Sequence, residues 1–282
     1  METQPTKERD FEFTGRDFRR VCDIIHRVAG IALAPSKQEM VYSRLARRLR
    51  ALGLNSFQAY LDTLERDGGE EWQHFTNALT TNLTSFFRES HHFEVLAKHL
   101  RDWRGPPITM WCSAASTGEE PYSMAIVACE VFDTLTPPVR IVATDVDTQV
   151  LETASNAIYA MDRIEGLSAE RKKRFFQRGS GPSAGFCRVR PALRDLITFR
   201  RLNLLDTDYG LKGPFTAIFC RNVMIYFDKP TQLTVLQRMQ PLLDREGLFF
   251  AGHSESFFHA TDLIRPVGRT VYRRSDSRGI PK

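Results

Sequence analysis

Apolar residues recur at helical spacing through the first hundred residues, and no segment there has the alternating pattern of a strand. Residues 11–28 form one amphipathic segment, and a second helix is predicted between Pro35 and Gly53 because apolar side chains share one of its faces. Further helices are predicted at residues 57–66, 71–79 and 93–103. We therefore predict an all-helical N-terminal domain, residues 1–85.

From residue 108 onward, short apolar runs alternate with helical segments. Residues 108–112 and 139–145 are β-branched and apolar, which is typical of buried strands. Later strands are predicted at residues 196–202, 215–222, 247–252 and 270–273, with helices from 119, at 148–157 and at 229–243. This alternation predicts an α/β domain over residues 86–282, with a doubly wound, Rossmann-like sheet.

A segment at about residues 159–195 interrupts the alternation. It contains a charged helix at 168–177, a glycine-rich turn at 179–185 and a strand-like run at 186–190. Two short runs around a turn predict a small β-hairpin subdomain inserted into the main domain. Such insertions often carry partner contacts, although many are only elaborations.

A turn of small residues, 113–118, joins the first predicted strand to the following helix. Small side chains let the backbone approach a ligand, and a helix N-terminus presents free N–H groups. A capping box formed by Thr117 and Glu120 would explain these residues without a ligand. Asp145, however, ends the neighbouring strand, where such a sheet binds ribose hydroxyls. The turn and Asp145 together predict an adenosine crevice, and two later strands also end in polar residues, Asn203 and Asn222.

The composition is ordinary for a globular protein, with 42% hydrophobic and 26% charged residues in a chain of 282. No apolar run approaches the roughly 20 residues that span a bilayer, and the polar first ten residues are not typical of a signal peptide. The five cysteines are dispersed, so we expect reduced thiols, no metal site and a cytoplasmic location. The net charge of +5 favours an anionic partner without identifying it.

The sequence contains no serine elbow, no paired histidine ligands and no Walker motif. The predicted crevice has one acid for a ribose, but only one glycine where a pyrophosphate would need close backbone contact. This favours an adenosine ligand without phosphates, for which S-adenosylmethionine is the obvious candidate. The methyl group of that cofactor is electrophilic, so the task of the protein would be to align a nucleophile with it.

Five motifs resemble those of the bacterial chemoreceptor glutamate methyltransferases, the CheR family: TNLTSFFRE, WCSAASTGEEPYS, ATDVD, FCRNVMIYF and GLFFAGHSES. They occur in the family's order, and the match covers nearly the whole chain. The resemblance implies transfer of a methyl group from S-adenosylmethionine to receptor glutamates, with S-adenosylhomocysteine as the other product. A glutamate carboxylate, with a reference pKa of about 4.3, is ionised at neutral pH and needs no general base.

The resemblance also implies roles for individual residues. Arg88 and Tyr226 match the family's proposed active-site pair, and we expect Arg88 to orient the incoming carboxylate. Tyr226 would donate a hydrogen bond or enclose the methyl group, and the alternative is a packed aromatic residue without a role. The implied cofactor contacts are Asn82, Thr84, Arg88, Glu119 or Glu120, Asp145, Asn203, Leu204, Asn222 and Val223. The choice between Glu119 and Glu120 stays open.

Arg44, Arg47 and Arg50 recur on one flank of the second predicted helix, which is typical either of a solvated face or of a docking face. The resemblance implies that this face lies against the acidic, helical methylation region in the cytoplasmic part of a membrane chemoreceptor. The hairpin subdomain resembles one that grips a receptor's C-terminal peptide by strand addition. The candidate residues are Gly181, Gly185, Arg188 and Arg190.

Two other classes of protein would share part of this sequence pattern. A nucleic-acid methyltransferase would use the same crevice and the basic charge, but RNVMIYF stands where a DPPY-like or cysteine-nucleophile motif is expected. A binding module without activity would not need Arg88, Asp145, Asn222 and Tyr226 together. We therefore expect a monomeric enzyme that binds neither nucleic acid nor the interior of a membrane.

Overall fold

The computed structural model describes residues 9–276. The chain divides into two compact units, one that ends at Thr81 and one that begins at Asn82. Residues 1–8, which belong to the polar segment used to predict the absence of a signal peptide, lie outside the described residues. Among residues 9–276, no helix has both the length and the apolar character that a membrane span requires.

Within residues 9–81, the first unit is helical, as predicted. Its helices are α1 (Gly15–Ala29), α2 (Gln38–Leu52), α3 (Phe57–Asp67) and α4 (Glu71–Leu79). Helix α1 begins later than the predicted segment because Thr14 caps it, in a capping box with Asp17. Helix α2 ends at Gly53, whose φ of 65° is the left-handed conformation common after a helix.

The second unit contains the predicted α/β fold. Its strands are β1 (Ile108–Cys112), β2 (Val139–Asp145), β3 (Ile158–Ala160), β4 (Phe176–Arg178), β5 (Phe186–Val189), β6 (Ile197–Arg201), β7 (Phe215–Cys220), β8 (Leu243–Ala251), β9 (Ile264–Gly268) and β10 (Val271–Arg274). Within residues 82–276, seven of them form the main sheet in the order β6-β2-β1-β7-β8-β10-β9. The first five in that order are parallel, and β10 is antiparallel to both neighbours.

Helices cover both faces of this sheet. They are α5 (His91–Asp102), α6 (Glu119–Val131), α7 (Thr148–Asn156), α8 (Ala169–Phe175), α9 (Pro191–Arg194) and α10 (Lys229–Met239). Alternate residues of one strand enter opposite cores: Phe219 packs with residues of α5 and α6, and Ile218 packs with residues of α10. This two-sided burial explains why the strands are almost continuously apolar.

The prediction and the structure differ in three main features. The helix predicted at 229–243 ends at Met239, because Pro241 follows and β8 already begins at Leu243. The edge strand β9 was not predicted, and Pro266 within it weakens the strand signal. In the described chain the predicted hairpin is a three-stranded antiparallel sheet, β3-β5-β4, because Ile158–Ala160 pairs with β5.

Candidate active site

The strand order creates a crevice at one edge of the main sheet. Strand β1 lies between β2 and β7, which is where the order of the strands reverses. Ligands of open α/β sheets bind outside the carboxyl ends of the strands at such a point. Asp145 ends β2, Asn203 follows β6 and Asn222 follows β7, so all three reach this edge.

The turn between β1 and α6 is fixed by backbone conformation. Gly118 is the N-cap of α6 with a φ of 99°, and a Cβ at this position would lie 2.8 Å from the Tyr159 hydroxyl. The Thr117 hydroxyl donates to Glu119 at 2.6 Å, and the cap makes no side-chain hydrogen bond. The predicted capping box between Thr117 and Glu120 is therefore wrong. A glycine in the left-handed region already begins the helix, so the hydroxyl is used elsewhere.

Asp145 is buried at the end of β2. Its carboxylate accepts the backbone N–H of Ser116 at 2.8 Å and of Asp147 at 3.0 Å. Burial raises the pKa of Asp145 to about 6, although both N–H groups act in the opposite direction. The backbone N–H of Val146 also lowers this pKa. Since a carboxylate has about four lone-pair sites, acceptor capacity remains for a hydroxyl donor, and Asp145 can accept from a ribose hydroxyl.

Asn203 and Leu204 lie beside Asp145. The backbone N–H of Leu202 donates to the Asp145 carbonyl oxygen at 3.0 Å, which joins the ends of β6 and β2. The Asn203 side-chain oxygen accepts the N–H of Leu205 at 3.0 Å, and Leu204 is buried. The resulting turn lies next to the acid, and the Leu204 side chain belongs to the core cluster that includes Trp111 and Tyr209.

The segment that contains Asn82 and Thr84 lies over the same turn. The Asn82 side-chain amide donates to the Asp147 carboxylate at 2.8 Å, and the Asn82 backbone carbonyl oxygen accepts from the Ser116 hydroxyl at 3.0 Å. The Thr84 carbonyl oxygen accepts from the Arg163 guanidinium at 2.9 Å. These contacts bring the first motif to the crevice formed by the second and third.

The two neighbouring glutamates face different groups. Glu119 is bound by Arg163, with 3.1 Å between Nε and Oε1, and by Thr117. Glu120 accepts from Arg221 at 2.6 Å and from the Cys112 thiol at 3.3 Å. Burial raises the pKa of Glu120 although Arg221 lowers it. Since Cys112 ends β1 and Arg221 follows β7, Glu120 is the glutamate at the reversal point.

Arg88 lies on a turn with unusual backbone conformation. Phe87 and Glu89 on either side have φ values of 54° and 56°, a conformation that costs about 1–2 kcal/mol for each residue other than glycine. External contacts hold the turn: the Phe87 N–H donates to the Ser123 hydroxyl at 3.0 Å, and the Arg171 guanidinium lies 4.0 Å from the Phe87 ring centre. The half-buried Arg88 side chain donates to the Leu83 carbonyl oxygen at 2.7 Å.

Tyr226 lies on the segment after β7. It ends a short 3₁₀ helix, Met224–Tyr226, and its N–H donates to the Val223 carbonyl oxygen at 3.1 Å. Its half-buried ring packs on the core beneath α10. Asn222 begins this segment with a φ of 57°, and its side-chain amide donates to Glu89 at 3.2 Å. The segments that carry Arg88 and Tyr226 are thus linked through Asn222 and Glu89.

Four charged residues of this region were not predicted individually: Glu89, Arg163, Arg221 and Glu255. Three of them fall inside the recognised motifs, but nothing in the letters distinguishes a buried ion pair from a surface charge. Arg221 carries the clearest sequence signal, because it directly follows an apolar strand. In the structure only 4% of it is exposed. Arg163 belongs to no motif, and the sequence contains no signal for it.

The candidate partner residues are on α2 and in or beside the small sheet. Arg44 donates to the carbonyl oxygens of Ala78 and Thr80 at the end of α4, whereas Arg47 is exposed. Arg50 pairs with Asp10 at 2.5 Å. In the small sheet, Arg188 and Arg190 donate to backbone carbonyl oxygens, and the positive φ values of Gly181 and Gly185 shape the turn beside them.

The described residues contain no group of histidine, cysteine and carboxylate side chains arranged to hold a metal ion. All five cysteines are free, and four of them are buried. The crevice instead offers a small-residue turn, a buried acid at the end of β2 and a second buried acid, Glu120, in the first turn of α6. The fold and these groups define an S-adenosylmethionine-dependent methyltransferase.

Comparison with known proteins gives the family. Residues 82–273 match the SAM binding domain of CheR methyltransferases, and residues 16–80 match the all-alpha domain of the same enzymes. The chain is 55% identical to Chemotaxis protein methyltransferase 2 of Pseudomonas aeruginosa, over 93% of this chain and 94% of that protein. It is 50% identical to the Chemotaxis protein methyltransferase of Salmonella typhimurium, over 93% and 91%. It is 49% identical to that of Escherichia coli, over 92% and 90%. The chain belongs to the CheR methyltransferase family.

Proposed function

We propose that this enzyme transfers the methyl group of S-adenosylmethionine to glutamate carboxylates in the cytoplasmic helical region of membrane chemoreceptors. The observation that carries the proposal is Arg88, a cation held on a strained turn at the same edge of the sheet as the cofactor crevice. A guanidinium there attracts an anionic side chain, and a carboxylate matches its planar geometry. The names of the relatives, chemotaxis protein methyltransferases, agree with a receptor substrate.

On the cofactor side, we assign the ribose to Asp145 and the wall beside it to Asn203 and Leu204. We assign Glu120, rather than Glu119, to the cationic methionine portion, because Glu119 is turned toward Arg163 whereas Glu120 lies at the reversal point. The remaining contacts are proposed for residues on the loops that flank the crevice: Asn82, Thr84, Arg88, Asn222 and Val223. Each lies within the second unit.

The proposed reaction is a single displacement. S-adenosylmethionine supplies a methyl group made electrophilic by its sulfonium. One oxygen of the ionised substrate glutamate forms the new bond to the methyl carbon while the carbon–sulfur bond breaks, and S-adenosylhomocysteine remains. Arg88 orients the carboxylate, and the Tyr226 hydroxyl donates a hydrogen bond to its other oxygen. No proton is transferred, so no general base is required.

Two further surfaces are proposed for the receptor. Arg47 and Arg50 are both exposed on α2, and because Arg50 already pairs with Asp10, Arg47 is assigned to docking against acidic helices. Strand β4 lies at one side of the small sheet, next to the turn that contains Gly181 and Gly185, and it has the geometry to accept a receptor's C-terminal peptide as an added strand. We propose that the enzyme acts on the receptor as a monomer.

The test uses labelled S-adenosylmethionine and membranes that contain a chemoreceptor. We expect base-labile label on the receptor, and a loss of rate of about 100-fold or more in Arg88→Ala. Tyr226→Phe should retain cofactor binding and lose about tenfold in rate, the effect of one hydrogen bond. A receptor whose methylated glutamates are changed to alanine is the control. Label that survives base treatment, or label on that altered receptor, would exclude glutamate esters.

The peptide proposal is tested separately. A receptor C-terminal peptide should bind the purified enzyme, and Gly185→Val should weaken binding because a β-branched residue is strained at a φ of 91°. Gly166→Ala, on an open loop of the same insertion, is the matched control. Equal binding by all three proteins would remove the peptide site from this turn.

A further inference from the structure

The carboxylate of Glu89 joins three parts of the crevice edge. Its Oε1 accepts the side-chain amide of Asn222 and the backbone N–H of His253, each at 3.2 Å. Its Oε2 lies 3.4 Å from a guanidinium nitrogen of Arg221. Asn222 and Arg221 follow β7, and His253 follows β8. One side chain therefore connects the Arg88 turn to the ends of two strands.

The backbone around Arg88 needs such a connection. Two left-handed residues, Phe87 and Glu89, enclose Arg88, and conformations of this kind persist only where surrounding contacts impose them. Arg221 donates to the Arg88 carbonyl oxygen at 2.5 Å with the same nitrogen that approaches Glu89. The other Arg221 nitrogen binds Glu120. The turn is thus held in two ways. The Glu89 side chain contacts the strand ends, and Arg221 binds the backbone carbonyl oxygen of Arg88.

The charge on Glu89 suits this role. Burial raises the pKa of its carboxyl, but the charge of Arg221 and the N–H groups of Asn222 and His253 outweigh burial, so the net pKa is below its ordinary value. The His92 ring, 3.7 Å away, is kept neutral because burial and nearby cations lower its pKa to about 3. At neutral pH the carboxylate is ionised and faces one buried cation.

We infer that Glu89 is a positioning residue for methyl transfer, which holds the Arg88 turn against the ends of β7 and β8. The inference rests on the proposed function, in which Arg88 orients the substrate carboxylate. Glu89 itself touches Arg221, Asn222 and His253 rather than the reacting atoms. Glu89 acts by holding Arg88 in position.

The kinetic arm compares substitutions at one position. Glu89→Ala and Glu89→Gly should each lower kcat on receptor membranes by on the order of 100-fold, because a displacement of about 1 Å has that effect. The dissociation constant for S-adenosylhomocysteine should change by less than about threefold. Glu89→Gln keeps one acceptor oxygen but loses the charge that faces Arg221, so its rate should lie between those of the wild type and Glu89→Ala. Glu94→Ala, an exposed carboxylate on α5, is the matched control.

Epistasis separates positioning from an independent effect. The double variant of Arg88→Ala with Glu89→Ala should be no slower than Arg88→Ala alone, because Glu89 acts through Arg88. A multiplicative loss in the double variant would overturn the inference. So would wild-type turnover by Glu89→Gly, which would mean that only the left-handed backbone at this position matters.

Hydrogen exchange tests the same inference without any receptor. The Phe87 amide, which donates to Ser123, should exchange at least about tenfold faster in Glu89→Ala and Glu89→Gly and at the wild-type rate in Glu94→Ala. Unchanged exchange in the Glu89 variants would overturn the positioning role. A wild-type enzyme that leaves receptors unlabelled, with this acceleration present, would reject the proposed substrate and support the placement of the turn.

Discussion

Three carboxylates at the crevice edge have different electrostatic environments. Burial raises the pKa of Asp145 and of Glu255, and backbone N–H groups only partly oppose it. Glu89 has a lowered pKa, because the full charge of Arg221 adds to its hydrogen bonds. The opposite pKa shifts agree with the proposed roles. Asp145 is proposed to accept hydroxyl donors from a ligand, whereas Glu89 has Arg221 as its cationic partner within the protein.

The raised pKa of Asp145 predicts a pH dependence of cofactor binding. In the proposed complex, ribose hydroxyls donate to the ionised carboxylate of Asp145, so cofactor binding favours deprotonation and is weakened where Asp145 is protonated. The affinity for S-adenosylhomocysteine should be constant above a pH of about 6 and should fall up to about tenfold per unit below it. Calorimetry between pH 5 and pH 8, values chosen to bracket this pKa of about 6, measures the effect. Asp145→Asn should bind more weakly at neutral pH and lose this step, and a step that persists in the variant would assign it to another group.

The same linkage has the opposite sign for folding without ligand. Asp145 binds a proton more tightly in the folded chain than in the unfolded chain, so its contribution to the free energy of unfolding decreases as pH rises from about 4 to about 6. Cofactor binding and stability of the free enzyme therefore respond in opposite directions to one titration. This behaviour is expected if, as proposed, Asp145 binds a ligand and does not stabilise the fold.

Gly252 shows how closely two strand ends approach. A Cβ at this position would lie 2.3 Å from the side-chain nitrogen of Asn222 and 2.7 Å from its backbone nitrogen. We expect Gly252→Ala to lower the free energy of unfolding by about 1–3 kcal/mol and to weaken cofactor binding, because Asn222 must move. Thermal unfolding and calorimetry measure the two effects. Gly166→Ala, with no atom within 4 Å of the added Cβ, should change neither. If both variants unfold alike, the close approach carries no energetic weight.

At the scale of elements, the strand ends could be predicted from the sequence, whereas the turn that begins α6 could not. The strand ends at Asp145, Asn203 and Asn222 were predictable, because a polar residue after an apolar run marks the edge of a parallel sheet. The cap of α6 was not, since Thr117 and Glu120 have the spacing of a capping box while Gly118 actually begins the helix. Spacing describes one helix in isolation, whereas the choice of cap depends on Tyr159 and Ala154 packed against it.

The arginines on α2 illustrate the same limit. Periodicity placed Arg44, Arg47 and Arg50 on one flank, but it does not show which guanidinium already has an acceptor. Arg44 donates to two carbonyl oxygens at the end of α4, where a cation also interacts favourably with the negative end of the helix dipole. The flank therefore combines a structural residue, Arg44, with two exposed ones, Arg47 and Arg50, and neither predicted alternative, a solvated face or a docking face, describes Arg44.

This division leads to a paired prediction. Arg44→Ala should lower the free energy of unfolding by about 1.5 kcal/mol, the value of hydrogen bonds from a charged donor, and should leave the receptor affinity of the folded enzyme unchanged. Arg47→Ala should leave stability within about 0.5 kcal/mol and raise KM for receptor membranes, more so at low ionic strength. Denaturant unfolding and methyl-transfer kinetics distinguish them. Reversed effects would place the docking contact at Arg44 instead.

At the scale of the whole molecule, the sequence predicted the order of elements better than the electrostatics that connect them. Within residues 82–276, six of the seven strands of the main sheet follow from the alternating patterns, whereas the edge strand β9 does not. The pairing of Arg221 with Glu120 and Glu89 does not, because these residues are more than one hundred positions apart from Arg221 and lie on separate motifs. The motifs come together at one edge of the sheet only in the folded chain. No single motif reveals the ion pairs that connect them.

The two units lead to the broadest prediction. The contacts that build the crevice join residues from Asn82 onward, whereas Arg47 belongs to the unit that ends at Thr81. A shortened chain that begins at Thr80 should therefore bind S-adenosylhomocysteine within about threefold of the full chain, a difference of about 0.6 kcal/mol. It should methylate receptor membranes with a KM raised by at least about tenfold, because the proposed docking face is missing. Calorimetry and label transfer on the same preparation separate the two effects. Loss of cofactor binding would show that the helical unit contributes to the crevice, and an unchanged KM would move receptor docking to the second unit.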